Sequence, residues 1–322
     1  QRSAAQSWRM PPAWGRVTCP GLGCSRHYRA VLCSELKQPL TVEEVAPRPV
    51  GPQEVRVDIH FSGVNFADTL LCRGLYQERP QVPFIPGVNG KGVRLNMPLL
   101  VFSSQGDGVV GISSLNSMAE ECITDHQVAL WQIPEGVSLQ EAAVLPITYG
   151  TATFALEHRA HTQPGETVLV TAASGATGLA VIDVATNVLQ AKVIAAAGSE
   201  EKCKLAMQRA PGSAHWGSWW AAEGWAWSST PWGDVFLEAL RSLAWEGRIV
   251  VVGFAGGTIP SLPANLLLLK NISATGLLLS LYWERNFPLY SRTLSSAIQY
   301  CHEGCIHPHI GAVFKLEEVR CS

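Results

Sequence analysis

Two rhythms of hydrophobic and polar positions divide this chain. Between residues 28 and 146 the apolar stretches are short, at 28–33, 55–61, 109–113 and 119–124, and each is bounded by Gly, Pro, Asp or Ser. Runs with such borders predict β-strands in a turn-rich region. The period then lengthens. Ser138 with Glu141 three residues on has the capping-box spacing of a helix start, and residues 147–157 predict an apolar helix crossing between two parts of the fold. After a Pro-Gly turn, residues 167–171 form an apolar run suited to a strand buried on both faces. Residues 172–178 are a turn of small side chains, 179–189 carry apolar positions at helical spacing, and 192–197 predict a second buried strand. A strand, a small-residue turn, a helix and a strand within about 30 residues is the dinucleotide-binding layout. Farther on, residues 234–243 predict a helix, 248–252 a buried strand and 293–302 another helix, with 265–270 and 272–279 completing the unit.

Composition narrows the function. The 322 residues suit two domains. Charged side chains make up 16% and the formal net charge is −2, which gives no electrostatic case for nucleic acid or a membrane surface. The most apolar stretch, 262–281, is interrupted by Pro263, Asn265, Lys270 and Asn271, short of the ~18 uninterrupted residues of a membrane span. Nine cysteines, odd in number and without a C-x-x-C, argue against a disulfide framework or a four-cysteine zinc lobe and fit a reducing compartment. The first 34 residues hold five arginines and no acidic residue. That is the composition of a mitochondrial presequence, and a disordered extension in a cytoplasmic protein is the plainer alternative.

The turn at 172–178 carries the first chemistry. Backbone amides at a helix start point outward unpaired, and the helix dipole adds positive potential there. A pyrophosphate reaches them only if nothing bulky intervenes, and Ala173, Gly175, Ala176 and Gly178 leave that space, with Thr177 among them a further cofactor-binding candidate. The usual G-x-G-x-x-G is absent, so a tight turn in another kind of α/β protein is the competing explanation. An NAD site places an Asp or Glu roughly 20 residues past the glycines. Here that place is Ala197-Gly198-Ser199, with Lys202 one turn into the next helix. Ser199 can donate to a 2′-phosphate and Lys202 can supply charge, which favours NADPH. The plainer reading makes Ser199 a helix cap and Lys202 a solvated helix residue.

Ala172-Ala173-Ser174-Gly175-Ala176-Thr177-Gly178 resembles the A-A-x-G-G-V-G turn of the quinone oxidoreductases, zinc-free members of the medium-chain dehydrogenase/reductase superfamily. Ser62-Gly63-Val64-Asn65-Phe66-Ala67-Asp68 with Arg73-Gly74-Leu75-Tyr76 resembles that family's other signature. The resemblance implies an α/β protein, a Rossmann doubly wound parallel sheet plus a β-rich, GroES-like barrel. Its domains would be an extension at 1–27, the substrate domain at 28–146, the Rossmann domain at 147–279 and a return to the substrate domain at 280–322. It implies hydride transfer from NADPH to a small-molecule quinone or α,β-unsaturated carbonyl, with a homodimer as the expected assembly. Asn65, Tyr76 and Thr151 would surround the nicotinamide and acceptor, and a loop beginning Gly253-Phe254 would pass the nicotinamide. For Thr151 the alternative is a hydroxyl bonded to its own helix backbone. No metal is expected. Asn65 stands where the zinc enzymes of the superfamily have a catalytic cysteine, and Pro86-Gly87-Val88-Asn89 replaces their Gly-His-Glu. His307 and His309 flank Pro308 without a partner nearby in sequence, as in a solvated turn.

Two stretches depart from the family pattern. Residues 89–102 replace an acidic residue, a small-residue strand and a long polar turn. Residues 214–232 hold six of the eleven tryptophans where the third and fourth parallel strands belong, and the chain stops before the strand that closes the substrate domain in relatives. By position 224–229 stands in the fourth strand's place: the segment has no clean apolar run, yet tryptophan favours strands, so residues 211–233 are either damaged or a substitute for the strand. The expectation is a Trp-rich run that is disordered or loosely packed and a chain of low stability. A competing functional reading follows, a non-catalytic isoform with impaired nucleotide binding.

Overall fold

The computed structural model describes residues 27–52, 54–76, 79–87, 91–95, 108–113, 115–125, 130–209, 224–228, 233–253 and 259–319. The expectations for the N-terminal extension, Asn89, Phe254 and most of the Trp-rich run lie outside these residues. Strands β1 (Tyr28–Leu32) and β2 (Thr41–Val45) form an antiparallel ribbon. β3 (Glu54–Ser62) leads through Asn65 into helix α1 (Phe66–Cys72). β4 (Lys91–Leu95), β5 (Gly108–Gly111), β6 (Glu121–Asp125) and β7 (Leu130–Gln132) join β3 in a five-stranded antiparallel sheet of order β6-β3-β4-β5-β7. The first unfamiliar stretch therefore supplies β4, the middle strand of this sheet. Lys91-Gly92-Val93-Arg94-Leu95 pairs with both neighbours through its backbone, which asks little of its side chains.

The predicted helix start at Ser138 is present. The Ser138 hydroxyl accepts the Glu141 amide at 3.2 Å and the Glu141 carboxylate accepts the Ser138 amide at 3.1 Å, the reciprocal capping box. The two short helices expected from the pattern are one continuous run. α2 (Leu139–Val144) passes through a widened π-type stretch, Leu145–Tyr149, into α3 (Gly150–Thr153) and a second one, Phe154–Arg159. Pro146 has no amide to donate, so the ladder shifts register there without breaking the helix.

β8 (Thr167–Thr171), α4 (Ala176–Asp183), β9 (Lys192–Ala196) and α5 (Glu200–Met207) form the expected βαβ unit and the helix after it. β10 (Gly224–Ser228), α6 (Gly233–Ser242), β11 (Arg248–Val251), α7 (Ala264–Lys270) and β12 (Ser273–Gly276) extend it to a parallel sheet of order β12-β11-β10-β8-β9. Helices α8 (Leu279–Arg285) and α9 (Phe287–His302) follow. Among the described residues no strand comes after α9 and none lies outside β9.

The expectation of a broken sheet is corrected by β10. Ala226 lies opposite Leu169 on one side and Ile249 on the other, so the run Gly-Trp-Ala-Trp-Ser fills the fourth strand's place between β8 and β11. The sequence pattern hid this because strand pairing is made by backbone groups, and Trp is a good strand former even without an aliphatic run. The neighbours are sealed: Val168, Val170, Ile249 and Val250 are fully buried. Arg248 at the start of β11 donates to both Glu166 oxygens at 2.6 Å, bridging across the start of β10 to the residue before β8.

One buried cluster holds the two sheets together. Val110 from β5, Leu145 and Phe154 from the crossing helix, Val168 from β8, Ile182 from α4 and Leu294 from α9 all belong to it. Within it Asp183 is 1% exposed and accepts the Tyr149 hydroxyl at 2.7 Å, the Asn187 side-chain amide at 2.7 Å and the His307 backbone amide at 2.8 Å. Burial first, then the Asp183 charge, pushes the Tyr149 phenol above its ordinary pKa and keeps it a donor. Three donors satisfy a carboxylate that would otherwise be costly to bury.

The pairing of β10 has a direct mutational consequence. Ala226→Pro removes an amide from the middle of the parallel sheet and should cost about 1–3 kcal/mol, seen as a lower urea midpoint of unfolding. An unchanged midpoint would mean that this strand is not paired.

Candidate functional site

β8, β9 and β11 run parallel, so the loops after their C-terminal ends share one edge of the sheet. Ligands of open α/β sheets bind at that edge. The turn after β8 is shaped by two constraints. Ala172 has a left-handed φ of +49°, which reverses the chain directly after the strand. Gly178 lies in the first turn of α4, where a Cβ would come 2.5 Å from the Ala172 oxygen and 2.9 Å from the Ala173 Cα. Only glycine lets the helix come so close to the turn. Gly175 is the N-cap residue, donates to Ala172 O at 2.9 Å and has no side chain to cap the helix. The first amides of α4, those of Ala176, Thr177 and Gly178, therefore receive no side-chain cap from Gly175 at a dipole-positive helix start. Gly175 and Ala176 are exposed, and buried Ala173 donates to Ala196 O at 3.0 Å, fixing the turn to the end of β9.

From that end Ala197-Gly198 leads to Ser199, the N-cap of α5, whose hydroxyl oxygen accepts the Lys202 amide at 3.3 Å. The capping role is therefore real, and the same hydroxyl keeps its hydrogen to donate. Lys202 is exposed and in no ion pair among the described residues, whereas Lys204 pairs with Glu200 at 2.8 Å. Gly253 follows β11 on the same edge, and a Cβ there would meet nothing within 4 Å.

The other three predicted residues are placed separately. Asn65 caps α1 with extended backbone, and its side-chain amide donates to Gly63 O at 3.3 Å. Tyr76 follows the opposite end of that helix and packs on the buried Cys33, Leu71, Cys72 and Phe84, so α1 does not bring the two together. Thr151 is half-buried on α3. Its hydroxyl makes no hydrogen bond among the described residues, while that of Thr148 bonds the Val144 carbonyl. The helix-bonded alternative thus describes Thr148 and not Thr151.

Sequence reasoning missed Asp68 and Asp183. Asp68 is 3% exposed and bonds the Asn65 amide, and its signal was available in Asn65-x-x-Asp68, the spacing of a helix cap. Asp183 left no such trace, since its donors come from positions 149, 187 and 307. His309 meets the Arg209 guanidinium at 3.1 Å, in keeping with a turn. Among the described residues no group of three or more His, Cys, Asp or Glu could hold a metal ion, and no helix is long and apolar enough to cross a membrane.

No family model matches the chain. The quinone oxidoreductase-like protein 2 of Rattus norvegicus is 62% identical over 322 residues, covering 96% of this chain and 91% of that protein. Its Bos taurus counterpart is also 62% identical, over 330 residues, covering 99% of this chain and 92% of that protein. Among solved structures, the quinone oxidoreductase of Thermus thermophilus, determined alone and in complex with NADPH, superposes with a TM-score of 0.71 at 30% identity, covering 84% of this chain and 87% of that one.

The geometry at Gly178 sets an expected outcome. Gly178→Ala forces a methyl group into backbone atoms and should push α4 away from the turn, lowering both thermal stability and nucleotide affinity. Gly253→Ala, with open space around it, should leave thermal stability unchanged. Fluorescence titration and thermal melting of the two variants check the contrast, and equal behaviour would contradict it.

Proposed function

The chain belongs to the quinone oxidoreductase-like protein 2 family, within the zinc-free quinone oxidoreductases of the medium-chain dehydrogenase/reductase superfamily, and from that premise we propose that it is an NADPH-dependent oxidoreductase acting on a quinone or an α,β-unsaturated carbonyl. The observation that carries the reading is the cradle between β8 and α4: a helix start with open amides, closed underneath by a glycine that admits no side chain. Its residues fit a dinucleotide. The amides of Ala176, Thr177 and Gly178 would take the pyrophosphate, with Ala173 and Gly175 keeping the approach clear. Ser199 and Lys202 would take the 2′-phosphate by hydroxyl donation and charge. When bound, NADPH supplies the hydride.

The chain's own part is positioning and charge. Thr151 offers a hydroxyl with no partner among the described residues, Asn65 a side-chain amide and Tyr76 a phenol; each is a donor for a carbonyl oxygen that gains negative charge during reduction, and since α1 holds Asn65 and Tyr76 at opposite ends the two would meet different parts of the acceptor. A catalytic zinc is not part of this reading, because an asparagine at position 65 replaces a thiolate. The competing reading of a non-catalytic isoform rested in part on the loss of the fourth strand, and β10 in that strand's place supports the catalytic reading on that point. A homodimer remains part of the proposal, supported by the open edge of β12 and by Leu268 and Leu269 of α7, which are 78% and 71% exposed.

Following NADPH absorbance against a panel of quinones and enones tests the activity directly. Turnover with at least one acceptor is expected, and binding without any turnover would refute it. Lys202→Glu should weaken NADPH on the order of 10-fold while leaving NADH nearly unchanged. Equal affinities for the two cofactors in the unmutated chain would sink the preference.

A further inference from the structure

A carboxylate that the proposed chemistry does not use lies directly behind Asn65. Asp68 Oδ2 accepts the Asn65 backbone amide at 2.8 Å and Oδ1 accepts the Gly87 backbone amide at 3.1 Å, while the Asn65 side-chain amide donates to Gly63 O. These amides belong to different segments. Asn65 opens α1, whereas Gly87 lies in the Pro86-Gly87 turn where the superfamily's zinc enzymes carry further ligands. Gly87 has no freedom to follow a moving partner. Its φ is +105°, and a Cβ would lie 2.2 Å from Ser117 Oγ and 2.8 Å from the Met118 nitrogen. Met118 in turn donates to Pro86 O at 3.1 Å. Ser117, fully buried, shares a 2.8 Å hydrogen bond with Ser62, three residues before Asn65. The contacts close a ring, from Ser62 to Ser117, to Gly87, to Asp68, to Asn65 and back along the chain to Ser62.

We propose that Asp68 is a positioning residue whose carboxylate fixes Asn65 against the Pro86-Gly87 turn, and so sets the orientation of the acceptor for hydride transfer. The inference rests on the oxidoreductase reading above. Two amide donors on one buried carboxylate make charge-assisted bonds, stronger than neutral ones. They also define a distance, because both amides must reach the same group. Misplacing a reacting partner by about 1 Å costs on the order of 100-fold in rate. The cofactor cradle is built from other elements, so the effect should fall on the chemical step and not on NADPH binding.

Asp68→Asn keeps the volume but turns an N–H toward one of the two N–H donors. It should lower kcat on the order of 10- to 100-fold while the NADPH Kd stays within about twofold. A merely structural role would lower the thermal midpoint and weaken NADPH together, and that result overturns the proposal. So does an unchanged kcat in a variant of an active wild type. If the wild type binds NADPH yet reduces no acceptor, the oxidoreductase reading fails first and takes the inference with it. Asp68→Glu keeps the charge but shifts the oxygens by one methylene, so a rate between wild type and Asp68→Asn is expected, and the full wild-type rate would overturn the proposal. Should neither variant fold, hydrogen exchange on the intact chain decides. Strong protection of both the Asn65 and Gly87 amides supports the clamp, and free exchange at either refutes it.

Discussion

The nucleotide-binding strand needs a partner on each side. β8 ends in the turn that forms the cradle, so any slack in β8 is passed on to Ala172, Ala173 and Gly178. On one side β9 pairs with it along all five residues, Thr167 to Thr171. On the other side the family pattern calls for a strand that this chain's residues do not announce, and bare backbone groups there would each cost about 1–3 kcal/mol in a protein whose net stability is about 5–15 kcal/mol. The run Gly224–Ser228 satisfies this demand. Any backbone that can extend will serve, and one-strand spacing between β8 and β11 is marked by the Arg248–Glu166 pair that reaches across it. That pair is partly exposed, so its contribution is more geometric than energetic.

Once β8 is held, the site follows by short steps. The left-handed turn at Ala172 places the start of α4, and the missing Cβ at Gly178 sets how close the helix lies. At its other end α4 carries Asp183, which receives donors from the crossing helix, from Asn187 and from the chain after α9. The helix that would hold the pyrophosphate is thereby anchored to the helix that presents Thr151. Tyr149 and Thr151 are two residues apart, so movement of the nucleotide helix is felt at the nicotinamide end of the proposed site. Buried polar networks of this kind tolerate few rearrangements, which suits a site that works by positioning.

Much of this was legible in the order of residues. The strand at 167–171, the small-residue turn and the cap at Ser199 each have a local cause, in apolar patterning, in the absence of bulk and in a hydroxyl at a helix start. The family resemblance added Asn65, Tyr76 and Thr151, positions that no periodicity would single out. What stayed hidden depended on distant partners. β10 is a strand because its neighbours offer it backbone groups, and it lacks an aliphatic run, whereas the alternation of Val93 and Leu95 with Arg94 in β4 is a short strand signal that sequence reasoning missed. Asp68 and Asp183 are buried carboxylates whose donors include Gly87 and His307, far along the chain. At 224–228 the expectation of loose packing gave side-chain pattern too much weight and backbone pairing too little.

The central claim is that residues 224–228 complete the sheet on which the cofactor cradle stands. Amide hydrogen exchange of the intact chain, resolved to the peptides covering β8, β10 and β11, tests it most directly. The account predicts that amides of 224–228 are protected to the same degree as those of Thr167–Thr171, exchanging with them in one cooperative opening. Rapid exchange across 224–228, with the amides of β8 losing protection beside it, would contradict it.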